Sequence, residues 1–514
     1  LKILTAEKIR EADAYTIKHE PIKSIDLMEI AATKCFDWLF ETAPHLFKTE
    51  ERDWLFNVVV GPGNNGGDGL AIARILQKVG YEVQVTYVKL TDIPSEDFST
   101  NFSKLGKLKK AVTKISSEDE AIDYDRDSVI IDAIFGTGLN RAAEGAAAAV
   151  IKKINESGAT VVSVDLPSGM FSEDNADNTR ETIVRADYTL TFQVPKLAFY
   201  LAESAPLIGN LVILDIGLHT DFLREVKADF HLLTDQTVGA MRQSRGSFDH
   251  KGTFGHALII AGSEGKRGAS LMAAEAAMRS GPGLVTLHTD KAGGVLLHQW
   301  MREGMVSLDP SDDGRFTELP DLSPYQSIAV GPGSGTSDET AKALKLLIQE
   351  SPVPLILDAD ALNILSENPT WMAFLPEGSI LTPHPGEFAK LIREKKTHYQ
   401  NIQAQIELSR KYGIYILLKG GRSTLSLPDG QVLINSTGNP GMATGGMGDV
   451  LTGILAGLLA SGYKPMQAAA LGMYIHGRAG DLALQRESVE SLMATDIMKD
   501  LGRAFQSLNY ENEQ

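Results

Sequence analysis

The chemistry-bearing residues of this chain gather in glycine-rich turns that follow short apolar runs. The richest is Asn439-Pro-Gly-Met-Ala-Thr-Gly-Gly-Met-Gly-Asp-Val-Leu-Thr-Gly453. Gly445, Gly446 and Gly448 can turn several N–H groups, with that of Met447, toward one point, and a helix starting there adds its positive end. A migrating phosphoryl group could sit over them. Asp449 then lies where an attacking hydroxyl must lose its proton, with positioning and electrostatic stabilisation doing most of the catalysis. An ordinary helix cap is the plainer role for Asp449. The segment Lys419-Gly-Gly-Arg-Ser-Thr424 offers charge through Lys419 and Arg422, and pliable backbone through Gly420, Gly421 and Ser423, for nucleotide phosphates.

Three shorter segments accompany these. In Thr382-Pro-His-Pro-Gly-Glu387 two prolines stiffen the backbone around His384, and Glu387 stands where a helix could start; an ordinary buried or surface histidine is the alternative. Leu357-Asp-Ala-Asp-Ala361 exposes two acids at alternate positions, to orient substrate or water or to cap the next helix. Gly331-Pro-Gly-Ser-Gly335 is a strand-end turn. Lys266-Arg-Gly-Ala269 introduces a helix rich in alanine, whose small side chains report close packing rather than catalysis.

The first half of the chain carries Gly61-Pro-Gly-Asn-Asn-Gly-Gly-Asp-Gly69 directly after an apolar run. Its glycines permit close approach to a ligand, and exposed N–H groups before a helix could hold a phosphate. The spacing is neither the dinucleotide fingerprint nor a P-loop. Asn64 and Asn65 bring amide oxygens and Asp68 a carboxylate, so phosphate cradling is not the whole account; a tight turn with left-handed backbone is the plain alternative. Asp132 and Asp165 each end an apolar strand, where a carboxylate is costly to bury unless a cation or hydrogen-bond donors meet it. Asn65, Asp132 and Ser168 supply oxygen alone, which suits an alkali or other hard cation and argues against zinc. Asp165, free to exchange protons, is the better candidate for proton transfer, with helix capping as the alternative for both acids.

Apolar runs and helical periodicity place these turns. Strands are expected at residues 55–60, 83–88, 129–131, 161–164, 188–192 and 211–213, with helices at 5–18, 24–40 (capped by Ser24), 70–79 and 144–155. After a charged segment at 222–230 without a strong strand pattern, a second series has strands at 257–261, 284–288, 327–330, 355–357, 379–381 and 415–418. Its helices are expected at 269–280, 339–349, 361–367, 387–392, 401–412, 449–460 and 465–483. Buried parallel sheets covered by helices on both faces follow, with the loops above at the carboxyl ends of strands. At 514 residues two domains are the default, divided into 1–225 and 226–514.

Composition narrows the partners. A net charge of −17 opposes binding to nucleic acid and to anionic membranes. The one cysteine, Cys35, excludes an internal disulfide and a multi-cysteine metal site, and suits a reducing compartment. Leu1 stands where a Met would begin a chain, so the extreme N-terminus is expected to be incomplete; residues 1–15 scatter charge throughout and do not read as an intact signal peptide. No membrane span is expected, since no stretch reaches the required apolar length.

On these motifs the N-terminal half resembles the NAD(P)H-hydrate epimerase family, and the C-terminal half the NAD(P)H-hydrate dehydratase family of ribokinase-like fold. The resemblance implies two three-layer αβα domains, Rossmann-like then ribokinase-like. It implies epimerisation at C6 of hydrated dinucleotides (NADHX and NADPHX) and dehydration of the S form to NADH or NADPH. The phosphate donor would be ADP, less readily ATP, with Mg2+, releasing AMP or ADP and phosphate. It assigns Asn64, Asn65, Gly66, Gly67 and Asp68, then Gly136, Thr137, Gly138, Leu139, Asn140, Arg141 and Ala142, to the hydrated dinucleotide. Asp165 is implied at the reacting nicotinamide and Asn65, Asp132 and Ser168 as potassium ligands. Ala257, Gly333, His384 and Asp449 are implied on the substrate side of the second site, and residues 419–423 and 445–448 at the nucleotide. Lys196 matches a recurrent family element, as a substrate contact or as a structural lysine. A cytoplasmic homo-oligomer is expected, without nucleic-acid or membrane partners. The chain departs from the family pattern at Ala32, Pro282 and Ser334. A small-molecule kinase fused to a dinucleotide-binding domain, and a noncatalytic NAD-sensing module, remain the alternatives.

Overall fold

The computed structural model describes residues 1–42 and 55–508. Contacts divide the chain into one unit over Lys2–Ala228 and another formed by Asp229 onward with Leu1.

The first unit holds a 7-stranded sheet in the order Val112–Ile115, Glu82–Val88, Leu55–Val60, Val129–Ala133, Thr160–Val164, Tyr188–Phe192, Asn210–Leu214. Every neighbouring pair is parallel. Alternate residues serve opposite layers, as the period of a strand requires. Val58, Val60 and Ile131 pack with Cys35, Leu39, Leu70 and Leu76 of two helices, Ser24–Thr42 and Asn64–Val79. Val59 and Ile130 pack instead with Ala147, Val150 and Ile154 of the helix Gly145–Ser157. Strand order reverses between Leu55–Val60 and Val129–Ala133, which opens a crevice at their carboxyl ends.

The glycine-rich segment corrects the sequence reading. It is not a turn followed by a helix from residue 70; the helix runs Asn64–Val79. None of Gly61, Gly63, Gly66, Gly67 and Gly69 adopts a positive φ. Their use is steric: a Cβ on Gly66 would stand 1.9 Å from the Gly61 carbonyl oxygen, on Gly67 2.7 Å from Met28 Sδ, and on Gly69 2.7 Å from Ala133 Cβ. The first turns of this helix therefore press against the strand ends. Ser24 is not a cap; it is the first helical residue and its hydroxyl donates to Asp97 Oδ2 at 2.6 Å. Ala32 is wholly buried in the core. The helix Glu96–Ser103 and the strand Val112–Ile115 were not legible as periodic segments.

In the second unit the strands run in the order Phe230–Leu232, Val432–Ile434, Thr424–Ser426, Tyr415–Leu418, Ile380–Leu381, Leu355–Leu357, Ser327–Val330, His256–Ile260, Leu284–Thr289, Met305–Leu308. Pairing is parallel except where Thr424–Ser426 meets its two neighbours. Ala257 and Ile259 face the helices Arg267–Met278, Met447–Ala460, Pro465–Ala483 and Ala494–Ser507, whereas Leu258 and Ile260 face Asp338–Glu350, Ala359–Glu367 and Pro385–Ile392. Helix Met447–Ala460 lies directly on Arg267–Met278: a Cβ on Gly453 would come within 2.1 Å of the Ala273 carbonyl oxygen, and one on Gly457 within 2.5 Å of that of Ala277. The charged segment at 222–230 contains the end of the helix Thr220–Glu225 and the start of the strand Phe230–Leu232. Among the described residues no helix is long and apolar enough to cross a membrane.

Candidate active sites

At the switch point of the first sheet lies a cleft of about 590 Å³. Asn64, Asn65 and Asp68 line it from the glycine-rich helix, Gly136, Thr137, Gly138 and Leu139 from the loop after Val129–Ala133, and Asp165 from the loop after Thr160–Val164. Gly66 and Gly67 are buried within the helix, and Asn140, Arg141 and Ala142 lie outside the lining.

Asp165 leaves its strand in the left-handed region, at φ 66°. A non-glycine residue held there costs about 1–3 kcal/mol, which the surrounding fold must offset. Its N–H donates to the Leu190 carbonyl at 2.7 Å, and its Oδ1 lies 2.5 Å from Lys196 Nζ. Lys196, fully buried, also donates to Thr191 Oγ1 at 2.6 Å. A Cβ on Gly136 would stand 3.3 Å from Asp165 Oδ2, so the bare backbone of Gly136 leaves that oxygen room toward the cleft. Desolvation pushes the Asp68 carboxyl well above its ordinary range, with Asp165, Asp13 and Asp97 adding to the effect. Asp13, on the helix Ala6–His19, lines the cleft as well, and its carboxyl is pushed up to about 6 by desolvation, then by Asp165, against the opposing effect of Lys196.

Asn65, Asp132 and Ser168 converge on the backbone of residues 134 and 135. Asn65 Nδ2 donates to the Phe135 carbonyl at 2.8 Å, while Ser168 Oγ accepts from the N–H groups of Ile134 and Phe135 at 3.1 and 2.9 Å. Asp132, with no exposed surface, accepts from Ser163 Oγ at 2.7 Å and from the Ser168 N–H at 2.9 Å. Burial pushes its carboxyl up, against those hydrogen bonds. Asn65 Oδ1 is buried without a hydrogen-bond partner. An all-oxygen set with one unsatisfied oxygen fits an alkali or other hard cation. Among the described residues no cluster of three or more His, Cys, Asp or Glu could hold a metal.

In the second unit the helix Met447–Ala460 starts from Gly446, which is left-handed at φ 90°. A Cβ on Gly448 would lie 3.2 Å from Lys419 Nζ and 3.5 Å from Asp358 Oδ2. The missing side chain thus lets an ammonium and a carboxylate sit against the first turn. Asp358 is buried rather than exposed, and it does several things at once. Its Oδ1 accepts from Lys419 Nζ at 2.7 Å and from the Ala359 N–H at 2.9 Å, capping the helix Ala359–Glu367. Its Oδ2 accepts from Thr452 Oγ1 at 2.8 Å, one turn into the glycine-started helix. Asp449 stands in that helix's first turn, and its carboxyl is pushed up to about 6 by desolvation and then by Asp358, against Lys419.

The remaining residues group around this core. Asp360 accepts from Lys266 Nζ at 3.2 Å and from the Gly335 N–H at 3.0 Å, and Gly333 (φ 61°) leaves space that the Lys266 side chain borders. His384 caps the helix Pro385–Ile392: Nδ1 accepts from the Gly386 N–H at 3.0 Å, and Glu387 Oε2 accepts from the His384 N–H at 2.8 Å. Because Nδ1 accepts, the neutral ring carries its proton on Nε2. Glu387 Oε2 is 4.0 Å from Lys419 Nζ, which links His384 to the glycine-rich turn. In its segment Lys419 makes that connection. Gly420, Gly421 and Arg422 are exposed and Ser423 half-buried, with Arg422 Nη1 donating to the Ser436 carbonyl at 2.8 Å. Gly445 is exposed beside Gly446, and the Met447 side chain is buried in the core. Ala257 is not in this group; it is wholly buried near the amino end of its strand, packed with Ala273 and Ala274.

Three features were not read from the sequence: Asp13, the pairing of Asp360 with Lys266, and His476. Asp13 had a signal: it stands four residues from both Ile9 and Ile17, an acid on a stripe that lines the cleft. His476 is held neutral by desolvation, its pKa pushed down to about 4 with Lys419 contributing against a Met447 backbone contact, and its Nε2 has no partner.

Comparison with known proteins bears on both sites. Residues 257–503 match the family model described as NAD(P)H-hydrate dehydratase, and residues 24–198 that described as YjeF-related protein N-terminus. The chain is 35% identical, over 99% of its length and 98% of the relative's, to the bifunctional NAD(P)H-hydrate repair enzyme Nnr of Moorella thermoacetica. It is 32% identical to the protein of that name from Escherichia coli, over 88% of this chain and 85% of the other. A crystal structure of the ADP/ATP-dependent NAD(P)H-hydrate dehydratase from Bacillus subtilis, co-crystallized with ATP/Mg2+, is 29% identical with a TM-score of 0.48, covering 54% of this chain and 99% of that one.

Proposed function

This chain belongs to the family of bifunctional NAD(P)H-hydrate repair enzymes, and from that premise we propose a division of labour between its two sites. The first interconverts the R and S configurations at C6 of NADHX or NADPHX; the second dehydrates the S form to the reduced cofactor.

The observation that carries the reading is the placement of Asp449. A carboxyl whose pKa is raised to about 6 sits in the first turn of a helix whose N-terminal glycines leave backbone donors free. A base poised near neutrality is suited to take a proton from a hydroxyl attacking a phosphate held at that helix end. Residues 445–448 bind the phosphate being transferred, and Lys419 neutralises charge beside it. Transfer turns the poor hydroxide leaving group at C6 into phosphate; its loss, with removal of a C5 proton, restores the reduced ring. His384, whose Nε2 lies 3.5 Å from Glu387 Oε1, and Gly333 bound the substrate side. ADP is the proposed donor over ATP, yielding AMP and phosphate, with Mg2+ arriving on the nucleotide's phosphates.

In the first site Asp165 acts at the ring while Lys196 holds its Oδ1. Asn64, Asp68 and the loop at 136–139 hold the dinucleotide. Asn65, Asp132 and Ser168 would hold potassium, which would supply a fixed positive charge at the strand ends.

Time-resolved chromatography of each separated epimer, with no nucleotide, with ADP and with ATP, tests the reading. Epimer exchange without nucleotide, and reduced cofactor plus inorganic phosphate only with nucleotide, is the expected result. A stable phosphorylated product would instead assign the second site to a kinase, and an unchanged substrate would remove both activities.

A further inference from the structure

We propose that Asp13 is a second proton-transfer residue of the first site, acting on the same ring as Asp165; the inference rests on the reading of this cleft as the epimerisation site. Asp13 lines the cleft together with Asp165 and Lys196, from a different element, the helix Ala6–His19. Changing the configuration at C6 requires one proton to be delivered and one removed, by either available route. Asp165 is engaged as the anionic partner of Lys196 at 2.5 Å, which suits it to accept. A donor must come from elsewhere in the cleft.

The surroundings of Asp13 fit that role. It faces Asp165 and Lys196 from the strand-end loops and Asp68 from the glycine-rich helix, with Arg10 one turn earlier on its own helix. The helix Ser24–Thr42 presents Ser24, Leu27, Met28 and Ala31 to the cleft, none of them ionisable. Along the same helix, Tyr15 packs edge-on against His219. Carboxylates therefore outnumber the cation Lys196 at the reacting end, and desolvation holds part of the Asp13 population protonated near neutrality, its pKa standing at about 6.

Both routes balance with this pair. If the C6 hydroxyl leaves as water, Asp13 gives the proton, the C6–O electrons go with oxygen, and the N1 lone pair delocalises onto the ring. Water then adds to the other face through an oxygen lone pair, and its surplus proton passes to the Asp165 carboxylate. If the ring opens, Asp165 takes the hydroxyl proton as C6=O forms, the C6–N1 pair goes to N1, and Asp13 protonates N1. Rotation about C5–C6 and the reverse transfers close the ring on the other face.

The test uses the full chain, comparing wild type, Asp13→Asn and Asp13→Glu. Exchange of separated epimers is followed from about pH 5 to about pH 8.5, with nucleotide-dependent dehydration measured on the same preparations. For Asp13→Asn the exchange kcat should fall about 10²-fold with KM nearly unchanged, and the loss of rate on raising pH through the Asp13 titration should vanish. Asp13→Glu should recover part of the rate and retain that pH limb. Exchange by Asp13→Asn within about threefold of wild type overturns the proposal. So does a loss that leaves the pH profile unaltered, or one expressed only in KM. If the wild type itself exchanges no epimers, the reading of the cleft fails and this inference with it.

Discussion

Lys196 Nζ and Asp165 Oδ1 lie 2.5 Å apart, and the lysine that makes this contact has no exposed surface. A buried ammonium is tolerated only with a partner, so the pair locks the strained backbone of Asp165 to the loop after Tyr188–Phe192. Replacing Asp165 with Asn should reduce epimer exchange by about 10²-fold or more while leaving dehydration of the S epimer intact. Assay of both reactions on one preparation checks this; equal impairment of dehydration in a folded variant would end the division of labour.

Asp449→Asn should nearly abolish nucleotide-dependent dehydration, by about 10²-fold to 10⁴-fold, while epimerisation and most nucleotide binding persist. Inorganic phosphate, reduced cofactor and epimer ratio are the readouts. Dehydration near the wild-type rate would remove Asp449 as the base.

The same variant should be more stable than wild type at neutral pH. The Asp449 carboxyl titrates at about 6 in the fold against 3.8 for its unperturbed form, so the native state binds more protons than the unfolded chain between these values. The charged form costs the fold roughly 1–3 kcal/mol above pH 6, and this penalty fades as pH falls toward 4. Thermal unfolding should accordingly show Asp449→Asn with a higher Tm at pH 7.5 and a gain only about a third as large at pH 4.5. A gain independent of pH would contradict the burial account.

Asp358 joins Lys419, Thr452 and its own helix, so Asp358→Ala should be far more damaging than Thr452→Val. Losing a buried acceptor shared by three donors costs several such hydrogen bonds at once, whereas losing one hydroxyl donor costs about 1 kcal/mol. Denaturant unfolding of the two variants should preserve that order.

Potassium should be found at Asn65, Asp132 and Ser168. Crystals grown with potassium, measured at a wavelength where its anomalous signal is strong, should show a peak beside Asn65 Oδ1. A peak identified as a transition metal alone would reject the assignment.

Much of the architecture was legible because buried parallel strands write themselves as apolar β-branched runs, as in Leu55–Val60 and Ser327–Val330. What failed did so for physical reasons. Glycine is a poor helix former, so 61–69 reads as a turn; the contacts that demand glycine come from Gly61, Met28 and Ala133, and packing overrides propensity. The hairpin at Thr424–Ser426 and Val432–Ile434 is too short for a periodic signal. Asp165 and Asp449 were visible because each follows a strand or opens a helix within a distinctive turn. Asp13 is marked only by its place between Ile9 and Ile17 on one helix stripe, and the folded chain is what brings that stripe to the cleft. Asp358 looked like an exposed acid because nothing local announces that Lys419 and Thr452 will bury it.

The contact of helix Met447–Ala460 with Arg267–Met278 carries a consequence for how such a site can change over generations. Gly453 and Gly457 leave no room for even a methyl group against the carbonyls of Ala273 and Ala277. A side chain at either glycine would force the two helices apart, and any displacement of Met447–Ala460 would carry the amides at 446–448 away from whatever they face. Specificity in this unit is thus freer to drift through the exposed residues 420–422 than along the helix seam, where lineages would inherit one spacing and vary around it.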